Sequence, residues 1–182
     1  MIGPWGRPRG LRVAPRSLGQ VRTVALRARQ LLGVSLNPID MVDLLENRLR
    51  RAGIHFHVVD ADAIPGEAAR ALPEKGLLLV TQEAYDGIHT GDPDHVLIVP
   101  HEIGHFALNH AASFARSNSR DHGIWEDSEI QADQFSHEFL MPVSLVMRHC
   151  LFWDDIQRVF GVPAKEARVR HLVLRLEGHF DE

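Results

Sequence analysis

His101-Glu102-Ile103-Gly104-His105, followed by Phe106, is the stretch on which the reading of this 182-residue chain turns. On an α-helix, positions four apart differ by roughly 40° around the axis, so the two imidazoles leave one face and can share a tetrahedral cation. Glu102 falls on the flank of that face, where a carboxylate can take a proton from metal-activated water. The chain holds 12 histidines, and random order alone yields such a pentad in roughly one chain of this composition in twenty. The motif therefore needs support from the elements around it.

A catalytic zinc takes three protein ligands and leaves one position to water. Leu108 and Ala111 stand where an extended motif on the same helix would place glycine and a third histidine. His110, five residues past His105, lies about 140° round a continued helix and reads as a capping or surface residue. The candidate third ligand is Glu129, in Glu129-Ile130-Gln131-Ala132-Asp133-Gln134-Phe135, 24 residues beyond His105. That separation is enough to end one helix, cross a polar loop and begin a second helix packed on the first. Asp133, one turn later on the same face, is placed to accept the outer N–H of a ligating histidine and so fix its tautomer. Glu126, Glu138 and His137 are the alternatives to Glu129 in this region.

Apolar spacing around the motif describes an α+β fold. Leu18, Val21, Val24, Ala25, Ala28 and Leu32 recur at helical intervals, and Ile39, Val42, Leu45 and Leu49 continue a second stripe behind a cap at Asn37-Pro38. Short apolar runs at Ile54–Val59, Leu77–Thr81 and Val96–Val99 predict a sheet of about three strands, with His55 and His57 facing water. A helix is expected from Pro100 to about Ala112, and Ser128 with Gln131 resembles a capping box opening another that Pro142 closes. The expected organisation is an arginine-rich irregular arm at 1–16, the main domain at 17–142 and a helical extension at 143–182 packed on it.

Hydrophobic residues make up 45% and charged residues 24% of the chain, ordinary for a globular protein that builds its own core. Cys150 is the single cysteine, set in an apolar run; it excludes an intrachain disulfide or a thiolate metal site and suits a cytoplasmic protein. No apolar run approaches the roughly 20 residues of a membrane-spanning helix. The first 39 residues hold seven arginines and no acidic residue while the whole chain sums to −4, leaving −11 on the remainder. A basic arm of this kind can pair with the acidic body, with nucleic acid or with a partner, or stay solvated; an organelle transit peptide has a similar composition.

With HEIGHF at 101–106, EIQADQF at 129–135 and FLMP at 139–142, the chain resembles the ImmA/IrrE family of metallopeptidases. The likeness runs from about Leu36 to Leu176. It implies a minimal zincin-like domain, Zn2+ as cofactor held by His101, His105 and Glu129, and Glu102 as general base. Members commonly act in bacteria, phages or mobile elements, and some cleave a helix-turn-helix repressor encoded nearby. Three departures stand out: His95 where arginine is frequent, Asp133 for a common asparagine, and Asn109 for a histidine. The sensor-like carboxy-terminal domain of longer members is not expected here.

The expectation is therefore a zinc-dependent endopeptidase acting on a helix-turn-helix repressor or similar regulatory protein. Tyr85, His95, His122 and His137 are the side chains open to stabilising an oxyanion. Two other readings compete. In one, zinc is a structural clamp closed by a fourth ligand such as His110 or His137, in a regulatory or toxin–antitoxin partner. In the other, the arginine-rich arm and a helix-turn-helix-like segment around Gly161-Val162-Pro163 bind DNA.

Overall fold

The computed structural model describes residues 4–34, 39–110 and 122–180. The cap expected at Asn37-Pro38 and most of the polar stretch before Asp127 lie outside them. Helix α1, Leu18–Leu32, opens with a capping box in which Ser17 accepts from the Gln20 amide while the Gln20 side chain accepts from the Ser17 amide. Its buried stripe is Val21, Ala25, Arg29 and Leu32. Helix α2, Met41–Asp43, is capped by Asp40 and runs on as a π turn over Leu44–Arg48 and a 3-10 turn over Leu49–Ala52, ending at Gly53.

The sheet has three strands, as expected, in the order β1 (His55–Val59), β3 (Leu77–Thr81), β2 (Ala69–Leu72). β1 runs parallel to β3, with His55 opposite Leu77, and β2 runs antiparallel to it, with Ala71 opposite Leu78. Leu78 and Val80 are fully buried in the central strand, and His55 and His57 are exposed as the alternation predicts. The membership of the third strand differs from expectation. Val96–Val99 is not a strand: Val96 follows a 3-10 turn at Pro93–His95, and Ile98 already begins helix α4, Ile98–Ala107. A four-residue apolar run does not distinguish strand from buried helix, and here Val99 and Ile103 are buried one helical turn apart. The third strand is Ala69-Arg70-Ala71-Leu72, whose sequence has no β-branched residue and which owes its form to pairing with β3.

Helices α3 (Gln82–Thr90), α5 (Ser128–Leu140), α6 (Val143–His149), α7 (Trp153–Phe160) and α8 (Ala164–Leu176) complete the fold. The N-cap of α5 is Asp127, whose Oδ1 accepts from the Ile130 amide at 2.9 Å, rather than the expected Ser128, which is the first helical residue. α5 is the central element. α1 and α4 both pack on it, and Ile130, Ala132, Phe135 and Phe139 have no exposed surface. Cys150 is buried in the same core, and burial pushes its thiol up to about 11, which keeps it protonated and inert. No helix among the described residues is long and apolar enough to cross a membrane.

Among the described residues of the segment expected as an irregular arm, the chain is irregular but packed. Arg12 bridges Asp127, the Val13 amide donates to Glu126 O at 2.7 Å, and the Leu11 amide donates to Ser128 Oγ while Leu11 O accepts from the Ser128 amide, both at 3.0 Å. Backbone pairing with the start of α5 supplies the order that proline and glycine composition does not signal. The C-terminal helices are tied in by charge. Fully buried Arg170 of α8 donates to both oxygens of Glu138 on α5, at 2.6 and 2.9 Å, and to Met141 O at 3.0 Å. Arg22 of α1 donates to the same carboxylate and to Glu177.

Removing one partner of such a pair strands the other without solvent. Glu138→Ala is expected to lower the unfolding free energy by about 3–5 kcal/mol in urea titrations, while Arg158→Ala, at an exposed pair with Asp155, changes it by less than about 1 kcal/mol. Equal effects would show that the buried pair does not anchor α8.

Candidate metal centre

Two helices build the site, and a glycine lets them meet. A Cβ on Gly104 would stand 3.2 Å from Ala132 Cα and 3.2 Å from Phe135 Cβ, so α4 and α5 cross in near backbone contact there. His101 stands one turn before Gly104 and His105 directly after it, one turn on from His101, and one turn before Ala132 stands Glu129. The crossing brings their polar ends together. His101 Nε2 and His105 Nε2 are 3.2 Å apart, His101 Nε2 lies 3.3 Å from Glu129 Oε2, and His105 Nε2 lies 3.6 Å from Glu129 Oε1. Ligand atoms around a tetrahedral zinc at about 2.05 Å are separated by about 3.3 Å, so this triangle has the size of one face of such a coordination shell. The donor set of two imidazoles and one carboxylate is also one that zinc takes.

Glu102 is the second carboxylate here, and one ligand atom from each of His101, Glu102 and His105 falls within 4.8 Å of the others. Its Oε2 accepts the Ala71 amide of edge strand β2 at 2.6 Å, whereas Glu129 faces both Nε2 atoms. The two carboxyls are also tuned apart. Burial raises Glu102 above the usual carboxylate range, against the pull of His101. Glu129 is lowered, first by its hydrogen bond with His101, with burial opposing. A raised carboxyl beside a lowered one is the pattern of a proton carrier next to a permanent anion.

Asp133 accepts from His101 Nδ1 at 3.0 Å and is in turn paired with Arg9. Burial works to raise its carboxyl, but His101 and Arg9 outweigh it and leave it lowered. For His101, burial pulls downward while Asp133 and Glu129 lift it further, up to about 10. His105 is lowered by burial and by the charge on His101. With Glu129 ionised and His105 a neutral imidazole, one excess proton sits on the three candidate ligands at neutral pH, the second ring proton of His101.

His110 is not the surface or capping residue expected from helical geometry. Asn109 adopts φ 56°, α4 stops at Ala107, and the chain turns His110 back beneath His105 with 1% of its surface exposed. A left-handed asparagine after a helix is the signal that marks this turn. The other sequence candidates are engaged elsewhere: Glu138 with Arg170, Glu126 with Arg12, His137 with Glu166 at 2.9 Å and His122 with Asp127 at 2.9 Å. Tyr85 donates to Glu46 and His95 pairs with Asp92. None of the four residues considered for an oxyanion lines the cavity of about 770 Å3 that opens beside Glu102, His105 and Glu129. β2 and its flanks form the opposite wall, where Arg70 is the one cation among the lining residues.

No family model matches the chain, and no curated protein matches its sequence. Among solved structures the chain is similar to a Mycobacterium tuberculosis transcriptional regulator, at 16% identity and a TM-score of 0.54, over 81% of this chain and 46% of that one. It therefore spans less than half the length of that structure, and the likeness is one of fold.

Because Glu129 is ionised and His105 neutral, zinc displaces a single proton, the one on His101. Raising the pH removes this competitor, so zinc affinity is expected to rise about tenfold per unit between pH 6 and 8. Competition with a chelator of known affinity measures it; a flat profile would mean that His101 is not displaced.

Proposed function

We propose that this protein is a zinc-dependent endopeptidase of the ImmA/IrrE type, with His101, His105 and Glu129 as metal ligands and Glu102 as general base. The observation that carries the reading is the triangle of 3.2, 3.3 and 3.6 Å between two Nε2 atoms and a carboxylate contributed by a different helix. Bound there, zinc supplies Lewis acidity, polarising a peptide carbonyl and acidifying water.

The chain's own residues would do the rest. Glu102, held by the Ala71 amide and raised by burial, takes a proton from water and returns it to the leaving amine. Asp133 holds His101 by its Nδ1. β2 is an edge strand on the cavity wall, so an extended peptide can lie along Ala69–Leu72 and reach Glu102.

A closed structural zinc is the less supported reading. Both nitrogens of His110 are occupied, by His105 and Gln131, and His137 is turned to Glu166. The cavity beside Glu129 leaves room for substrate at the fourth position. DNA binding through the arm draws little support either, since Arg9 and Arg12 pair with Asp133 and Glu126, Arg168 lies over the Trp153 ring and Arg170 is in the core. A helix-turn-helix repressor or similar regulatory protein is the proposed substrate, from the motif resemblance; the structural neighbour's description as a transcriptional regulator is compatible with work in that setting.

The test is Glu102→Gln beside the unchanged protein, each incubated with helix-turn-helix proteins from the adjacent reading frames and followed by mass spectrometry of the products. Cleavage is expected to fall by about 10²–10⁴-fold while one zinc per chain is retained. Unchanged cleavage would remove Glu102 from the chemistry, and loss of zinc would make it a ligand instead.

A further inference from the structure

Behind His105 stand two buried polar side chains that the reaction does not use, His110 and Gln131, with 1% and 0% of their surface exposed. Gln131 Nε2 donates to Ala14 O at 2.9 Å and to Trp125 O at 2.7 Å. Both acceptors are carbonyl oxygens, so the amide has one permitted orientation, with NH2 toward them and Oε1 toward His110. Gln131 Oε1 lies 3.2 Å from His110 Nε2, and an amide oxygen only accepts, so His110 Nε2 carries a proton. His110 is buried and its hydrogen-bond partners are an amide oxygen and a ring, with no carboxylate to balance a second proton, so the ring is neutral and its Nδ1 is bare. That bare Nδ1 faces His105 Nδ1 at 2.9 Å, in a contact that needs one proton. His105 Nδ1 must supply it, which leaves the lone pair of His105 Nε2 pointing at His101 and Glu129.

We propose that His110 and Gln131 are positioning residues that lock His105 in its Nδ1–H tautomer and so present its Nε2 lone pair to a metal ion. The chain of donors runs one way, from His105 through His110 and Gln131 to the Ala14 and Trp125 carbonyls. Reversing it would turn the Gln131 oxygen onto two other oxygens. Which ring nitrogen of a ligating histidine is free is set by the bond that the other nitrogen makes. For His101 that bond is to a carboxylate; for His105 it is to a neutral ring, and the polarity has to be imposed from further out. The edge-on packing of the two rings, with centroids 4.9 Å apart and planes at 75°, aims one nitrogen at the other. The proposal rests on the reading of His105 as a ligand, but its first test does not involve metal.

The full chain, labelled with 15N and freed of metal, is examined by long-range proton–nitrogen correlation at neutral pH. His110 is expected as the Nε2–H tautomer and His105 as Nδ1–H. A proton on His110 Nδ1 would overturn the proposal, whether or not the protein proves to bind zinc or cleave anything. Zinc affinity by chelator competition then reads the consequence. His110→Phe keeps a ring but loses the acceptor, and affinity is expected to fall about 10–100-fold. His110→Gln keeps a carbonyl for His105 and an amide for Gln131, and is expected to recover most of the loss. A purely structural role would reverse that order, because phenylalanine fills the buried space better; Phe equal to or better than Gln overturns the relay. If wild-type protein takes up no zinc, the metallopeptidase reading fails while the tautomer measurement still decides the polarity.

Discussion

The constraint on which the rest depends is the near contact of two helix backbones at Gly104 and Ala132. The missing Cβ at Gly104 lets α4 and α5 approach closely, and at that approach Glu129 reaches both histidines. The apolar surroundings hold the crossing in place: Ile103, Phe135 and Phe139 are buried in the same core. Core packing and the geometry of the candidate metal site are thus one problem here. Moving the helices apart by a further ~1 Å would open the nitrogen–carboxylate triangle beyond the reach of a single ion.

Around the triangle the support is layered, and it ends on the N-terminal segment. The outer nitrogen of His101 goes to Asp133 and from there to Arg9. The outer nitrogen of His105 goes through His110 and Gln131 to the Ala14 carbonyl. The segment is itself held by buried Asp127, whose Oδ2 accepts the Arg9 and Gly10 amides at 2.8 and 2.7 Å. Gly10 passes so close to α5 that a Cβ would come within 2.7 Å of the Glu129 amide nitrogen. Part of the positive charge that makes the first 39 residues lopsided faces the body of the fold, where Arg9 pairs with the Asp133 carboxylate beside His101.

What could be read in the sequence was whatever depends on local spacing. The four-residue interval between His101 and His105 and the same interval between Glu129 and Asp133 each define one face of one helix, and the structure brings these faces together. The alternation through His55 and His57 was legible for the same reason. The misreadings have other causes, a pairing partner elsewhere in the chain in some and a local change of backbone course in the rest. Ala69–Leu72 becomes a strand by pairing with β3, and Val96–Val99 loses strand form to the helix it enters. Residues 9–13 are held by Asp127, Glu126 and Ser128, more than a hundred positions away. His110 was misplaced because a continued helix was assumed through Asn109, whose left-handed φ redirects the next side chain.

The most direct test of this account is zinc K-edge X-ray absorption on the protein loaded with one equivalent of metal. The account predicts a shell of about four nitrogen and oxygen atoms at about 2.0–2.1 Å, with multiple scattering from two imidazoles that drops to one in His105→Ala. A sulfur shell, an imidazole count untouched by that substitution, or failure to bind one equivalent would contradict it.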